Sequence, residues 1–420
     1  GNRAFYGCGK LTSMELSGKG GSAFSGRGYV NVFEFSDKLM EIGDDAFNGL
    51  PKILNIVCPA SVKKIGARAF KGVWDDAEIK LPEGLESLGA DAFADCPSIL
   101  KVALPVVATP VKSAFSAAYS KIEAVKILGS PEVITKDFCR DVAKLTAIQI
   151  PASVTSIESY AFSGLPNLAG IDLPSGLLTI GEYAFNGCSN LRSVTFGTGL
   201  DSIPMYAFSD CTELKELILS DNIETIGFHA FYNCQNLETI VFPSSLKTIG
   251  TSAFAGSKKL RMVELPENIQ EVKRYAFECC DNLVHIVLTG NVPKFTSRCF
   301  ERNPNLKFFE VLSETPQELD NDIPGCEKLF LVVPNNAVEA YKNAPHWNKF
   351  KSIVPTCCLS MDGDNIRFNY EYDNMRFTTE DLKECTVTGS TSDVDYITIP
   401  DTICGLPVTR IAASAFKGQY

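Results

Sequence analysis

Apolar residues recur along most of the chain with one period and in one order. Phenylalanine stands near every twenty-third position, and the twelve intervals comprise ten of 23 residues, one of 22 and one of 24. Alanine precedes eleven of these phenylalanines. The thirteen positions are Phe24, Phe47, Phe70, Phe93, Phe115, Phe138, Phe162, Phe185, Phe208, Phe231, Phe254, Phe277 and Phe300. A period this regular predicts a stack of equal units rather than several independent domains.

Each unit predicts two short strands and one corner. Residues 171–173 alternate apolar and polar side chains, as in a short strand with one buried face. Pro174 ends this strand because proline cannot donate a ladder hydrogen bond. A second extended segment begins at Ile180, and Phe185 follows at a corner from which its ring would enter the core.

A unit of this length cannot bury its own apolar side, but stacked units can pair their strands in parallel and bury continuous apolar columns. We therefore expect a right-handed, gently curved solenoid that is rich in parallel β-sheet and has short helical turns. Residues 30–311 should form one continuous parallel sheet, with the repeated phenylalanines stacked in a buried column. At a strand spacing of roughly 4.8 Å, the array would be an arc about 60 Å long.

The recurring order Leu-x-x-Ile-x-Leu-Pro, followed by Ile-Gly-x-x-Ala-Phe-x-x-Cys, resembles the leucine-rich repeats of BspA-like surface proteins, also called the Treponema-type repeat. The resemblance covers about residues 4–311, and residues 329–347 resemble the module that closes such arrays. It implies a leucine-rich repeat solenoid of about 13 repeats of 23 residues. Members are typically exported bacterial or protist proteins displayed at the cell surface, and several are implicated in adhesion. The resemblance therefore implies a bacterial protein that is secreted or lies at the cell surface.

The period stops after Phe300, which predicts three parts. Residues 1–311 are the repeat array, truncated at its N-terminal end, and residues 312–356 are the closing module, with Trp347 folded over the last coil. Residues 357–420 are expected to form a small β unit and the start of a second array. The first residues read as the edge of a fragment without a signal peptide, and no apolar run has the roughly 18 residues of a membrane span.

Composition narrows the possible functions. The chain has 45% hydrophobic and 21% charged residues, as expected of a protein that buries a core. A net charge of −11 argues against a nucleic-acid partner, which would require a basic face. Only His229, His285 and His346 are available for histidine chemistry, and no Cys-x-x-Cys pair occurs. We assign no catalytic residue, metal ligand or cofactor-binding residue, and we expect no cofactor.

Six cysteines share one position, three residues after a repeated phenylalanine. They are Cys8, Cys96, Cys188, Cys211, Cys234 and Cys280. We interpret them as a ladder of buried free thiols that pack as small apolar residues. Disulfides between neighbouring coils are within reach, but side chains that point in parallel favour packing over pairing. Redox or metal use of the column is the alternative.

The outward-facing positions of the longer strands change character after residue 215. Earlier strands carry mostly polar residues there, such as Lys80, Lys126 and Gln149, whereas later strands mix apolar residues with glutamates. The candidate binding patch consists of Ile218, Val241, Met262, His285, Val287 and Phe308. Contiguous exposed apolar surface tends to mark a partner site. The alternative is that the closing segment or a loop covers these residues.

The sequence thus favours a non-enzymatic interaction protein that binds a protein or glycan of a host or neighbouring cell through the solenoid face. We expect neither a nucleic-acid partner nor membrane insertion of this part of the protein. A structural spacer that presents another module is the alternative, and an enzyme is a third one. A binding protein should differ in composition along one face, whereas a spacer should be uniform, so the change after residue 215 favours binding.

Overall fold

Two strands per coil and their parallel stacking define the fold. The computed structural model describes residues 13–16, 32–35, 37–48, 57–73, 76–356, 359–362, 365–372, 375–379, 385–390, 399, 401–403, 406–413 and 415–416. Most of these residues form a parallel-sheet solenoid of about 14 turns of roughly 23 residues, with few helices. The predicted fold class is therefore confirmed. Two members of the predicted columns, Phe24 and Cys8, lie outside the described residues.

The longer strand of each coil forms where apolar and polar residues alternate, and its buried residues face the core. These strands are Ser13–Leu16, Val32–Phe35, Glu78–Lys80, Lys101–Pro105, Ala124–Leu128, Ala147–Gln149, Gly170–Asp172, Ser193–Thr195, Glu216–Ile218, Thr239–Val241, Met262–Leu265, His285–Leu288, Phe308–Val311, Phe330–Val333 and Ser352–Pro355. All pairings among them are parallel, and most join residues 23 positions apart, as in the pair Ile171 and Val194. We call the solvent-facing side of these strands the long-strand face.

A second ladder of two-residue strands runs along another side of the solenoid. These strands are Glu41–Ile42, Lys64–Ile65, Ser87–Leu88, Val133–Ile134, Ser156–Ile157, Thr179–Ile180, Ser202–Ile203, Thr225–Ile226, Thr248–Ile249, Glu271–Val272 and Lys294–Phe295. All but the last place their second residue in the core, as Ile226 and Ile249 do side by side, and Phe295 of the last strand is half-buried. The remaining segment of each coil contains the repeated phenylalanine and forms the turns that connect this ladder to the next longer strand.

The longer strands do not form the one continuous sheet that we expected. Hydrogen-bonded pairing is interrupted after Gln149, after Thr195 and after Val241, which divides the strands from Glu78 onward into four runs. The apolar columns nevertheless continue across the interruptions, since Ile148 and Ile171 are both buried. The two-residue strands and the buried columns therefore join these coils where the longer strands are not paired.

The phenylalanine column is buried and stacked, as predicted. Phe185, Phe208 and Phe231 are fully buried, with ring centroids 5.1 and 5.4 Å apart and nearly parallel planes. At most corners the phenylalanine N–H donates to the carbonyl of the residue before the next phenylalanine, as from Phe185 to Ala207 at 2.9 Å. The N–H of Phe115 instead donates to the carbonyl of Val111 within its own coil. Where the bond forms, it links one stacked ring to the next.

Phe138 is an exception, and its assignment to the column was wrong by one residue. Cys139 occupies the phenylalanine position, because its N–H donates to the carbonyl of Ala161 as that of Phe162 does to the next coil. The ring of Phe138 instead meets Phe162 edge-on at 6.4 Å. The helix Val111–Ala114 and the 3-10 helix Ser116–Lys121 replace the regular turn of the preceding coil and shift its register.

Backbone with positive φ allows the chain to turn on both sides of the phenylalanine. Two residues before it, Tyr160, Tyr183 and Tyr206 have φ of 60°, 58° and 55°, a conformation that non-glycine residues seldom adopt. Two residues after it, glycine, asparagine or aspartate is usual, and Gly187 has a φ of 73°. Asp137 shows the same conformation two residues before Cys139, which confirms the shifted register.

The cysteine column consists of free, buried thiols, as the spacing indicated. Cys96, Cys188, Cys211, Cys234 and Cys280 are buried without disulfides. Each Sγ donates to the carbonyl of the phenylalanine one coil earlier, for example from Cys188 to that of Phe162 at 3.3 Å. The thiols therefore satisfy corner carbonyls, and burial raises the pKa of Cys188 to about 12.

The period continues for one coil beyond Phe300, contrary to the sequence prediction. Ile323 takes the phenylalanine position, followed by Gly325 with a φ of 80° and by the buried Cys326. The residue change hides this coil from a search for phenylalanine. The 3-10 helix Cys326–Lys328 belongs to this coil.

The end of the array is covered as expected. The helix Val338–Asn343 and the 3-10 helix Trp347–Lys349 bring Trp347 into the core, where it is fully buried and donates from Nε1 to the carbonyl of Gln317 at 2.8 Å. The ring of Phe350 packs on Phe309 at 5.7 Å. The remaining strands are Leu359–Asp362, Asn365–Tyr372, Met375–Thr379, Cys385–Ser390, Thr402–Ile403 and Leu406–Ile411. The first four pair antiparallel in sequence order.

Truncation of one stacked ring tests the column. Phe208→Ala removes a fully buried side chain between two neighbouring rings and should cost about 3–5 kcal/mol through loss of contacts and a cavity. Urea denaturation followed by circular dichroism measures this cost. Phe228→Ala, at a position 39% exposed, is the matched control and should cost far less. Equal denaturation curves for Phe208→Ala and wild type would contradict the stacked column.

The thiol column should be protonated and inaccessible in the native protein. Because burial raises the pKa of Cys188, Cys211 and Cys234, these residues should resist iodoacetamide at about pH 8 and react only after unfolding in guanidinium. Peptide mass spectrometry resolves each site, and the half-buried Cys279 serves as a more accessible comparison. Rapid native labelling of Cys211 would show that the column is not closed.

Candidate functional site

The six patch residues predicted from the sequence divide into two groups. Ile218, Val241 and Met262 are 54%, 52% and 41% exposed on the long-strand face. Ile218 and Val241 lie opposite each other in neighbouring strands, so their side chains adjoin. Met262 begins the next strand along the solenoid. These three residues form an exposed apolar area, which we call the apolar strip.

The other three residues of the predicted patch are much less exposed to solvent. His285 is 2% exposed and Phe308 is 1% exposed, while Val287 is half-buried. His285 Nε2 lies 2.9 Å from Glu310 Oε2, and the ring of Phe308 contacts His285 edge-on and Phe330 at 6.0 Å. The expectation that His285 and Phe308 are exposed is therefore wrong. Sequence alternation places a residue on the long-strand face but cannot show that this end of the face is buried.

One column on the long-strand face shows where the apolar strip begins. Strand register aligns its residues in the order Lys80, Ala103, Lys126 and Gln149, then Asp172 and Thr195, then Ile218 and Val241, then Glu264, Val287 and Glu310. The side chain of Gln149 is exposed like that of Val241, so burial does not explain the difference. The change from polar to apolar thus occurs on solvent-exposed surface.

Two grooves flank Val241, at the interruption between the strands Thr239–Val241 and Met262–Leu265. The larger, of about 610 Å³, is lined by Glu238, Thr239, Ile240, Val241, Lys259, Arg261, Met262, Glu264 and Asn282. The smaller, of about 370 Å³, is lined by Ile240, Val241, Phe242, Ser244, Glu264, Pro266, Glu267 and Thr289. Val241 stands between them, with charged groups of both signs at the rim. An apolar centre with a polar rim is the usual anatomy of a protein interface.

An aromatic row on the phenylalanine corner was missed in the sequence prediction. Tyr160, Tyr183 and Tyr206 stack at 4.8 and 4.6 Å, and the Arg140 guanidinium lies 4.7 Å from the Tyr160 ring centre. Burial within this stack raises the pKa of Tyr183. The signal was available, because tyrosine recurs two residues before the phenylalanine in successive units. The rings face one another, so the row offers solvent mainly their edges.

Outside these surfaces, the described residues offer few candidates for a metal site or for catalysis. In the part of the chain that the structure describes, no group of three or more histidines, cysteines or acidic residues could hold a metal ion. Burial lowers the pKa of His229, against a smaller opposing effect of Asp210, which favours a neutral imidazole. Among the described helices, none combines the length and hydropathy required for a membrane span.

Comparison with known proteins agrees with this architecture. A family model described as a BspA type leucine-rich repeat region, in 6 copies, matches residues 1–123, 132–261 and 226–322. A leucine-rich repeat protein from Bacteroides ovatus is 26% identical, with a TM-score of 0.53, over 74% of this chain and 82% of that chain. No curated protein matches the chain in sequence.

Two further crystal structures are similar over large parts of their own chains. The T. pallidum leucine-rich repeat protein TpLRR is 28% identical, with a TM-score of 0.35, over 43% of this chain and 81% of that chain. The pneumococcal vaccine antigen PcpA is 20% identical, with a TM-score of 0.35, over 76% of this chain and 85% of that chain.

Proposed function

Because the chain belongs to the BspA-type leucine-rich repeat family, we propose that it is a non-enzymatic binding protein whose apolar strip contacts a partner protein. The observation that carries this proposal is the replacement of polar by apolar residues at Ile218 and Val241, in a column that is polar or small in earlier coils. Isolated apolar residues on a surface need no explanation, but adjoining ones between two grooves favour an interface.

The composition of the rim favours a protein over a glycan as the ligand. Glu238 and Lys259 approach each other at 3.8 Å beside Val241, and Glu264 lines both grooves. Adjoining aliphatic side chains gain most from burial against other aliphatic or aromatic groups. Charges of both signs around them can fix the orientation of a protein partner.

A structural spacer is the alternative. A spacer requires only a stable array, and its exposed surface would be expected to keep the same polar composition in every coil. The contrast between Gln149 and Val241, which are both exposed positions of one column, favours a binding protein instead. In keeping with the family, we also propose that the protein is secreted or lies at the surface of a bacterial cell, where its partner belongs to a host or to a neighbouring cell.

Carboxylates placed in the apolar strip test the proposal. Val241→Asp and Ile218→Asp leave the charge hydrated in the free protein, because both side chains are more than half exposed. In a complex the carboxylate would be desolvated without a partner, so affinity should fall by at least about tenfold. Surface plasmon resonance against an array of purified extracellular-matrix proteins and glycans measures this change.

Gln149→Asp is the matched control, since it adds the same charge at an exposed position of the same column. It should keep the wild-type affinity, and all three variants should keep the wild-type circular dichroism spectrum. Unchanged binding by both strip variants would contradict the proposal. An array on which wild-type protein captures no protein would favour the spacer.

A further inference from the structure

Two backbone N–H groups at each phenylalanine corner normally donate to the next coil. In the coil of Phe277, its N–H donates to the carbonyl of Cys299 at 2.9 Å, and the N–H of Cys279 donates to that of Glu301 at 3.2 Å. The same two bonds join the coil of Phe254 to that of Phe277. They join neighbouring coils at most corners of the array.

This corner ladder ends at the coil of Phe300. Arg302 holds the position of Cys279, with a φ of 58°, but its N–H has no acceptor within residues 76–356. The N–H of Phe300 likewise donates to no carbonyl of the following coil in that range. That coil carries Ile323 in place of phenylalanine, so the stack of rings ends at Phe300 as well.

A wedge opens between the two coils where the ladder ends. Its volume is about 1010 Å³, at the upper end of the range for ligand pockets. Phe300, Leu306 and Leu329 provide apolar walls, and Pro304 and Pro324 line the loops on either side. The wedge thus combines apolar surface with a backbone donor, the Arg302 N–H, whose counterparts in earlier coils bind peptide carbonyls.

The charge of the wedge is opposite to that of the chain. Four cationic side chains line it, Arg298, Arg302, Lys307 and Lys328, against two acidic ones, Asp281 and Glu301. Arg298 pairs with Glu301 at 3.8 Å and Arg302 with Glu278 at 3.5 Å, which leaves Lys307 and Lys328 as the cations of the lining without an ion pair among the described residues. The chain as a whole has a net charge of −11. A locally cationic pocket attracts anionic groups and raises their local concentration.

We propose that this wedge binds an extended acidic segment of a partner protein. One peptide carbonyl of the segment accepts a hydrogen bond from the Arg302 N–H, as the carbonyl of Glu301 does from the Cys279 N–H. An apolar side chain packs on Phe300 and Leu329, and acidic side chains pair with Arg302 and Lys328. The apolar walls and the peptide-like hydrogen bond favour a protein segment over a sulfated glycan. The site is separate from the apolar strip, so it does not depend on the proposed function.

Fluorescence anisotropy with a labelled peptide of alternating leucine and glutamate tests the wedge. Wild-type protein should bind this peptide saturably, with an affinity that falls as salt is added. Arg302→Glu and Lys328→Glu should each weaken binding by at least about tenfold, because they invert charges beside the ligand. Lys144→Glu, at an exposed lysine outside the wedge, is the matched control and should bind like wild type.

Two reagents distinguish the alternatives. A peptide with lysine in place of glutamate should not bind, and equal affinity for both peptides would overturn the proposal. A heparin oligosaccharide that binds in an Arg302-dependent manner, where the acidic peptide does not, would assign the wedge to a sulfated glycan and would also overturn it. Both wedge variants should melt at the wild-type temperature. Arg302→Glu removes the ion pair of Arg302 with Glu278, whereas Lys328→Glu breaks no ion pair among the described residues and therefore tests the charge of the wedge alone.

Discussion

The backbone hydrogen bond from the phenylalanine position of most coils to the coil that follows is the constraint on which the solenoid depends. It links the N–H of Phe208 to the carbonyl of Ala230 at 2.8 Å and recurs along the array. Residues with positive φ on both sides of the phenylalanine bend the chain so that this bond can form in most coils. The stacked rings and the thiols that bond the phenylalanine carbonyls follow from the same geometry. Backbone strain at the corner is therefore offset by a hydrogen bond and a buried ring, and, in the coils that a cysteine follows, by a satisfied carbonyl as well.

The sequence predicts most of this fold because one period repeats the same packing problem many times. The sequence prediction fails in coils where a residue other than phenylalanine occupies the phenylalanine position of the backbone. Cys139 holds a phenylalanine position that the neighbouring Phe138 obscures, and Ile323 holds another. In both coils the positive φ beside the corner reveals the register, and the residue letters do not. The candidate site is predictable for Ile218 and Val241, since alternation alone places them on the long-strand face. The burial of His285 could not be predicted, because it depends on how the side chains of Phe308 and Glu310 pack against it from the next strand.

Both proposed binding sites lie where a regular ladder is interrupted. The grooves beside Val241 open where the strands Thr239–Val241 and Met262–Leu265 lack ladder pairing. The wedge opens where the corner bonds end at Phe300. In an unbroken solenoid each coil satisfies the polar backbone groups of its neighbour, so little remains for a ligand. An interruption leaves backbone N–H groups unpaired and opens concave surface between two coils. The core is kept, because the buried columns continue past the interruption. This arrangement separates the part of the sequence that maintains the fold from the part that can adapt to a partner.

Native-state amide hydrogen exchange tests the corner constraint most directly. The amides of Phe185, Phe208 and Phe231, which donate to the next coil, should exchange only through global unfolding and should show the highest protection in the chain. The amide of Arg302, at the end of the corner ladder, should exchange faster by orders of magnitude. Mass spectrometry with fragmentation to single residues resolves the two classes. Protection of Arg302 equal to that of Phe208, or rapid exchange at Phe208, would show that the corner bonds do not hold the coils together.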